Sequence, residues 1–303
     1  MIYLRLRGRI GNQLFMYAFC KSLQFERGDE LIVVDDFDNL SMRYANSLVE
    51  YNLPNTIYVN QMPSEYKKSF KLRNILARLD DKIIGKLDYN KSYQFEKKMQ
   101  KIYNRLGLIK IRDGYIESAC KSKNVYVDGY FQTEKYFEKY KQEIRQLFSL
   151  DQQLAKINYP DYEAIKKRNT VCISIKVEDN ANNPMYDVCT IDYYKKAIKY
   201  IQERVDNPLF FVCSDNVEYV KQNLIDTSKY DIVEQDKNLP VHLSLAVMSK
   251  CKHFIITNSS FAWWAQNLSD YEEKIVIAPS KWYGMPADWQ WDIYQEKWVR
   301  IEV

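Results

Sequence analysis

The amino-acid sequence predicts an α/β protein of two domains, each with a parallel sheet that helices cover on both faces. Short β-rich apolar runs alternate along the chain with segments of helical periodicity, which is the pattern of parallel sheets. The composition, 46% hydrophobic and 28% charged over 303 residues, is that of a folded globular protein. A polar stretch at 151–169 that contains Pro160 is the best linker, so we predict domains at 1–160 and 161–303.

The second half has the more regular alternation. Four runs are predicted to be buried strands: 171–177, 209–213, 254–257 and 274–278. Four helical segments are interspersed with them: 191–205, 217–224, 243–251 and 259–268. Ligands of such sheets bind outside the carboxyl ends of the strands, so the functional residues of this half are expected directly after its strands.

The first half is similar but less regular. Strands are predicted at 2–7, 31–35 and 125–127, and helices at 12–26 and 133–148. We expect the two α/β domains to face each other across a cleft.

Rare residues exclude several kinds of site. The chain has only two histidines, His242 and His253, so a Ser-His-Asp relay or a multi-histidine metal site is not expected, and both are predicted to be structural. The six cysteines lack CxxC spacing and are predicted to be free thiols. Residues 130–283 contain no glycine, which excludes a P-loop or a GxGxxG fingerprint there. A phosphate in that half would have to bind at a helix N-terminus.

Positive charge is concentrated in the first half. Residues 66–112 contain 14 basic and 4 acidic side chains. This segment is either a solvated helix face or a contact surface for an anionic membrane leaflet or a diphosphate-bearing acceptor. The pI near 8.5 argues against a nucleic-acid partner. Arg5, Arg7 and Arg9 lie where a signal peptide would be apolar, so we expect a cytoplasmic location, with peripheral contact at the inner membrane as an option.

Polar residues follow three of the predicted strands. Gly8-x-x-Gly11-Asn12-Gln13 opens the first helix, where glycines allow a tight turn and the amides can contact a ligand; the alternative is a plain turn. A second segment runs from Asn258 through Ser259 and Ser260 to Phe261, and it is either a phosphate site at a helix N-terminus or an ordinary cap. Asp215, after a third strand, either caps a helix or contacts a ribose or base.

Further segments complete a recognisable pattern. They are Asp128-Gly-Tyr-Phe-Gln-Thr-Glu-Lys-Tyr-Phe137, Ile191-Asp-Tyr-Tyr194, Ser214-Asp215, Met248-Ser-x-Cys-x-His253 and Asn258-Ser-Ser-Phe-x-Trp-Trp264. Together with the Gly-Asn-Gln turn, over nearly the whole chain, they resemble the family 11 glycosyltransferases, the α-1,2-fucosyltransferases. The resemblance implies a GT-B arrangement of two Rossmann-like domains, with a GDP-fucose donor held mainly by the C-terminal domain and an acceptor on the N-terminal side. It also implies inversion at the anomeric carbon and no metal.

One motif of the family is altered. The family's motif is His-x-Arg-Arg-x-Asp. In this sequence Ser174 replaces the histidine, Lys176 and Val177 replace the two arginines, and Asp179 is retained. The resemblance implies that the first arginine binds the pyrophosphate and neutralises the departing GDP. Lysine keeps the charge but loses the planar bidentate fork.

Three functions remain open on this pattern. The first is an α-1,2-fucosyltransferase of surface-polysaccharide or O-antigen assembly that acts on a galactoside in a lipid-linked glycan. The second is a relative with a different nucleotide-sugar donor, and the third is a decayed nucleotide- or carbohydrate-binding protein. No cofactor is expected beyond the nucleotide-sugar co-substrate.

The predicted site combines two catalytic candidates with a set of donor-binding residues. Lys176 is assigned to the pyrophosphate, and Asp128 is one carboxylate among the candidates for general base, together with Asp35 and Asp36. The predicted donor-binding residues are Gly11, Asn12, Gln13, Ser174, Asp179, Asp215, Asn258, Ser259, Ser260 and Phe261.

Overall fold

The chain divides into two compact units at Leu147–Phe148. The computed structural model describes residues 1–35, 44–60, 67–112, 114–176, 183–284 and 292–303. Residues 292–294 belong with the first unit and Gln295–Val303 with the second. The division thus lies upstream of residue 160, where the sequence analysis places it.

The first unit has a five-stranded parallel sheet of order β3-β2-β1-β5-β4. The strands are β1 (Ile2–Arg5), β2 (Leu31–Val34), β3 (Thr56–Val59), β4 (Leu108–Ile111) and β5 (Val125–Gly129). The helices are α1 (Ile10–Arg27), α2 (Lys67–Ile84), α3 (Tyr89–Arg105) and α4 (Lys141–Leu147). Leu4 of the central strand pairs with Val33 of β2 and with Val127 of β5.

Two elements of the first unit show how the local sequence determines the structure. Helix α1 is buried on nearly every side between Ile10 and Ser22 and ends at Gly28, whose positive φ of 67° lets its amide donate to the Gln24 carbonyl at 2.9 Å. The predicted helix at 133–148 is only partly confirmed. Two 3-10 turns, Glu134–Tyr136 and Glu138–Tyr140, precede α4, because the extended φ of Phe137 (−136°) interrupts the helical path.

The second unit has a six-stranded parallel sheet of order β11-β10-β9-β6-β7-β8, which is the Rossmann order. The strands are β6 (Thr170–Ile175), β7 (Leu209–Ser214), β8 (Ile232–Glu234), β9 (His253–Ile255), β10 (Val276–Pro279) and β11 (Val299–Ile301). The helices are α5 (Asp151–Leu154), α6 (Tyr162–Lys167), α7 (Ile191–Gln202), α8 (Val217–Asn223), α9 (Val241–Met248) and α10 (Ser260–Leu268). The four strands and four helices predicted for this half are confirmed within a few residues.

Packing in the second unit follows the alternation of its strands. Val171, Ile173 and Ile175 of β6 point into one apolar core together with Tyr193 and Ile198 of α7. The stretch taken as a linker forms α5 and α6 instead and belongs to this unit. Two contacts attach the start of this stretch to the second unit. Asp151 forms an ion pair with Lys250, and the ring of Phe148 packs edge to face on Trp264 with 5.2 Å between centroids.

Candidate functional site

The strand order of the second unit reverses between β6 and β9, and we call this switch point at the carboxyl ends of the strands the crevice. Strand β7 pairs with one edge of β6, and β9 pairs with the other edge. In parallel α/β sheets, ligands bind where the strand order reverses in this way. Ile173 pairs with Ile255, and Lys176 and Asn258 each lie three residues beyond this pair. The sheet therefore brings the predicted pyrophosphate residue and the predicted helix N-terminus to the same edge.

Ser174 and Lys176 occupy alternate positions at the end of β6. Ser174 is buried within the strand and pairs with Cys213, and the half-buried Lys176 directly follows the last strand residue. Their side chains are on the face opposite Ile173 and Ile175, so they do not enter the core that packs on α7. Asp179 lies outside the described residues.

The side chain of Asn258 connects three segments at this edge. Its Nδ2 donates to the carbonyl oxygens of Tyr186, at 3.1 Å, and Trp282, at 2.9 Å. Its Oδ1 accepts the hydroxyl of Thr257 at 2.9 Å. The carboxamide thereby joins the loop after β6 to the loop after β10.

The same two loops approach each other at Gly284. Its amide donates to the Met185 carbonyl at 3.0 Å, and a Cβ at this position would lie 2.0 Å from the Pro184 carbonyl oxygen. The rings of Tyr186 and Tyr283 pack edge to face at 5.6 Å. Only glycine permits this approach, so the two loops pack closely against each other.

Helix α10 starts at this edge with a half-exposed first turn. Ser259 is the N-cap residue, and Ser259, Ser260 and Phe261 are partly exposed, whereas Trp263 and Trp264 behind them are fully buried. The first helical bond runs from the Trp263 amide to the Ser259 carbonyl at 2.9 Å. The backbone N–H groups before it point out of the helix at the positive end of its dipole, where an anion is stabilised.

Asp215 lies exposed at the end of β7, the strand beside β6. The cap of α8 is Asn216, whose side chain accepts the Tyr219 amide at 3.0 Å, so the alternative in which Asp215 caps this helix is wrong. The Ser214 hydroxyl donates to the Asp215 carboxylate at 3.4 Å. The carboxylate is thus placed at the carboxyl edge of the sheet with its side chain in solvent.

In the first unit, the Gly-x-x-Gly-Asn-Gln turn is held by its own side chains. The buried Gln13 donates to the carbonyls of Gly8 and Ala45, both at 2.9 Å, and accepts the Ser47 amide at 2.8 Å. Asn12 accepts a hydrogen bond from Gln132 at 2.8 Å. Gly8 has a φ of +68°, and a Cβ there would lie 2.6 Å from Asn12 Nδ2. Gln13 therefore shapes this turn, while Gly11 lies in the first turn of α1.

Two arginines that the sequence analysis did not assign to the site lie beside Asp128. The Arg7 guanidinium contacts both oxygens of the buried Asp128 carboxylate, at 2.8 and 2.9 Å, and Arg5 lies 3.8 Å from it. Burial lowers the pKa of Arg7, but the combined attraction of several groups, of which Asp128 contributes most, leaves the pKa raised. Arg5 and Arg7 are two residues apart at the end of the first strand, so the sequence alone could have indicated that both side chains lie on the same face of the sheet. The carboxylate holds a cation in place here.

Other predicted structural residues are confirmed. His253 is buried, its Nδ1 accepts the Ile275 amide at 3.1 Å, and burial lowers its pKa to about 4. All six cysteines are free. Within the described ranges, no three His, Cys, Asp or Glu side chains are grouped as a metal site. None of the helices that the structure describes combines the length and apolar character of a membrane span.

Solved structures with the same architecture define the class of the protein. Fucosyltransferase NodZ from Bradyrhizobium matches with a TM-score of 0.50 and 11% identity, over 88% of this chain and 91% of its own. An Arabidopsis thaliana FUT1 mutant in complex with GDP also gives a TM-score of 0.50, with 13% identity over 91% of this chain and 69% of its own. The two parallel α/β units therefore have the GT-B fold.

The family follows from the sequence comparison. The chain belongs to glycosyl transferase family 11, whose model matches residues 1–302, and it is a glycosyltransferase. An Escherichia coli α-1,2-colitosyltransferase is 28% identical over 100% of this chain and 99% of its own length. The Escherichia coli O-antigen biosynthesis glycosyltransferase WbnK is 29% identical over 93% of this chain and 95% of its own. The family and fold implied by the sequence motifs are confirmed.

Proposed function

We propose that this glycosyltransferase transfers a 6-deoxyhexose from a GDP-linked donor, most simply fucose from GDP-fucose, to a galactoside with inversion and α-1,2 linkage. The observation that supports the proposal is the position of Lys176 and of the α10 N-terminus at the ends of the neighbouring strands β6 and β9. A diphosphate in this crevice would meet a cation on one side and backbone N–H groups on the other.

The chemistry requires that arrangement. As the bond between the anomeric carbon and the diphosphate oxygen breaks, negative charge develops on GDP, and fixed donors stabilise it. In the proposal, Lys176 provides the charge, Ser259 and Ser260 provide hydroxyls, and the first turn of α10 provides backbone N–H groups. The carboxylate of Asp215 contacts the nucleoside. The acceptor hydroxyl forms its new bond on the opposite face of the sugar, which gives inversion, and its proton is released to water. No metal or cofactor takes part.

Residues of the first unit have supporting roles in the proposal. Asp128 was a candidate general base, but both its oxygens contact Arg7. We assign Asp128 as a positioning residue for Arg7, and Arg7, with its side chain 28% exposed, as a cation that contacts substrate. Asn12 and Gln13 maintain the turn that follows Arg7.

A second donor is favoured by one comparison. The relative aligned over the full length of both chains is a colitosyltransferase, and colitose is the 3-deoxy counterpart of fucose. The two donors differ by one hydroxyl on the sugar ring and share the GDP group that the crevice would bind. O-antigen assembly on a lipid-linked glycan at the cytoplasmic face of the membrane fits the WbnK relationship.

Calorimetry with GDP, UDP and CMP, in EDTA, tests the donor class. We expect selective binding of GDP, followed by turnover of GDP-fucose or GDP-colitose with a β-galactoside, and NMR of the product should show an α-1,2 linkage. Selective binding of UDP or CMP would refute the proposed donor class. GDP binding without turnover of either donor on a panel of galactosides would indicate a decayed site.

A further inference from the structure

Helix α2 carries an apolar stripe on its outer side. Ile75, Leu79 and Ile83 are 47%, 51% and 45% exposed, respectively. Residues four apart lie one above the other on a helix, so the three side chains form a continuous line, which we call the α2 stripe. Large apolar side chains exposed singly are ordinary, but a line of three indicates a contact surface.

Cations border this stripe. Arg78, Lys82 and Lys86 are exposed, and the three-residue spacing puts Arg78 beside Ile75 and Lys82 beside Leu79 on the helix surface. The neighbouring helix α3 repeats the combination near its end, where Ile102 is 51% exposed next to the exposed Lys98 and Lys101. The outer surface of both helices therefore combines apolar side chains with positive charge.

The inner side of α2 is firmly attached to the sheet. Asp80 is buried and accepts the Tyr103 hydroxyl of α3 at 2.8 Å, and its carboxylate pairs with Lys110 of β4 at 3.1 Å. Lys110 also contacts Asp81 at 2.5 Å. Because this buried network fixes the orientation of the helix, the α2 stripe cannot turn inward without breaking it.

We propose that the α2 stripe and its flanking cations dock the protein on an anionic phospholipid bilayer. An apolar line bordered by Arg and Lys is the combination that inserts at the boundary between headgroups and acyl chains, while the cations pair with lipid phosphates. A second copy of the chain fits less well, because a two-fold contact through the stripe would bring the basic borders of both copies together. The inference concerns a surface distinct from the transfer site and does not depend on the identity of the donor.

Co-sedimentation of the full chain with vesicles tests the docking surface. We expect binding to phosphatidylglycerol–phosphatidylethanolamine vesicles and little binding to phosphatidylcholine vesicles. The triple variant Ile75→Ser, Leu79→Ser, Ile83→Ser should bind the anionic vesicles about tenfold or more weakly. In the variant Arg78→Gln, Lys82→Gln, Lys86→Gln, the affinity for anionic vesicles should fall roughly fivefold for each cation removed.

A matched control removes exposed apolar side chains elsewhere. Val49, Ile57 and Val241 are 53%, 46% and 57% exposed, and their combined serine variant should bind vesicles like the wild type. GDP titration and thermal unfolding should be unchanged in all three variants, which separates this test from the donor proposal. Equal wild-type binding to both vesicle types, or full binding by the stripe variant, would overturn the inference. The inference would also be overturned if the wild type bound no vesicles and formed a dimer that the stripe variant did not form.

Discussion

Asn258 and Trp282 are joined by a 2.9 Å hydrogen bond from the Asn258 carboxamide to the Trp282 carbonyl, although 24 residues separate them in the chain. The same nitrogen reaches the Tyr186 carbonyl, so one side chain holds two loops against the end of β9. The asparagine of the Asn-Ser-Ser segment therefore acts on the crevice through the loops that line it.

Asn258→Ala should lower both stability and donor affinity. Two backbone carbonyls lose their partner, so the free energy of unfolding should fall by about 1 to 3 kcal/mol. The KM for the donor should rise because the loops are no longer joined. Denaturant unfolding without any ligand separates this role from direct binding. Asn223→Ala, which removes a bond inside α8, is the control and should have little effect. If Asn258→Ala unfolded like the wild type and only donor binding fell, the positioning role would be wrong.

Asp128→Asn distinguishes a positioning carboxylate from a general base. The asparagine keeps the shape but leaves Arg7 without its counter-charge, so the free energy of unfolding should fall by about 1 to 3 kcal/mol. We expect reduced kcat with an unchanged shape of its pH profile. Loss of the acidic limb of that profile at unchanged stability would identify Asp128 as the base instead.

His253 should make the fold sensitive to mild acid. Its pKa of about 4 lies below the ordinary value near 6.5, so the unfolded chain binds a proton that the folded chain excludes. The contribution of the neutral imidazole to the free energy of unfolding is complete above pH 6.5. It is lost as the pH falls toward 4, which lowers the free energy of unfolding by up to about 3 kcal/mol. Urea unfolding of the wild type and of His253→Asn across this range provides the measurement. Asn can still accept the Ile275 amide, and parallel curves for the two proteins would contradict the assignment.

The second unit was predictable because its sequence signals are local. Its four predicted strands are short and largely apolar and alternate with segments of helical spacing, so β6, β7 and β9 are recognisable without tertiary information. The short strands β8 and β11 were not predicted, because each contains a charged residue. Strand β4 was missed because Lys110 interrupts it. That lysine is tolerated because Asp80 and Asp81, some thirty residues earlier, compensate its charge.

The site was predictable as a set of positions but not as a set of roles. The residues that follow β6, β7 and β9 lie where the motifs suggested. Their individual contacts depend on distant segments: Asn258 on Tyr186 and Trp282, and Asp128 on Arg7. No local pattern encodes such pairs, so the contacts that Asn258 and Asp128 make within the structure could not be predicted from the sequence.

Lys176 tests the central claim most directly. We would measure GDP binding by calorimetry and GDP-fucose turnover for the wild type, Lys176→Ala and Lys176→Arg, with the exposed Lys199→Ala of α7 as the control. Loss of one charge-assisted contact in the transition state should reduce turnover by Lys176→Ala about ten- to a hundredfold, with weaker GDP binding, while Lys176→Arg and the control stay active. Wild-type GDP binding and turnover in Lys176→Ala would contradict the assignment of this crevice as the site of the departing diphosphate.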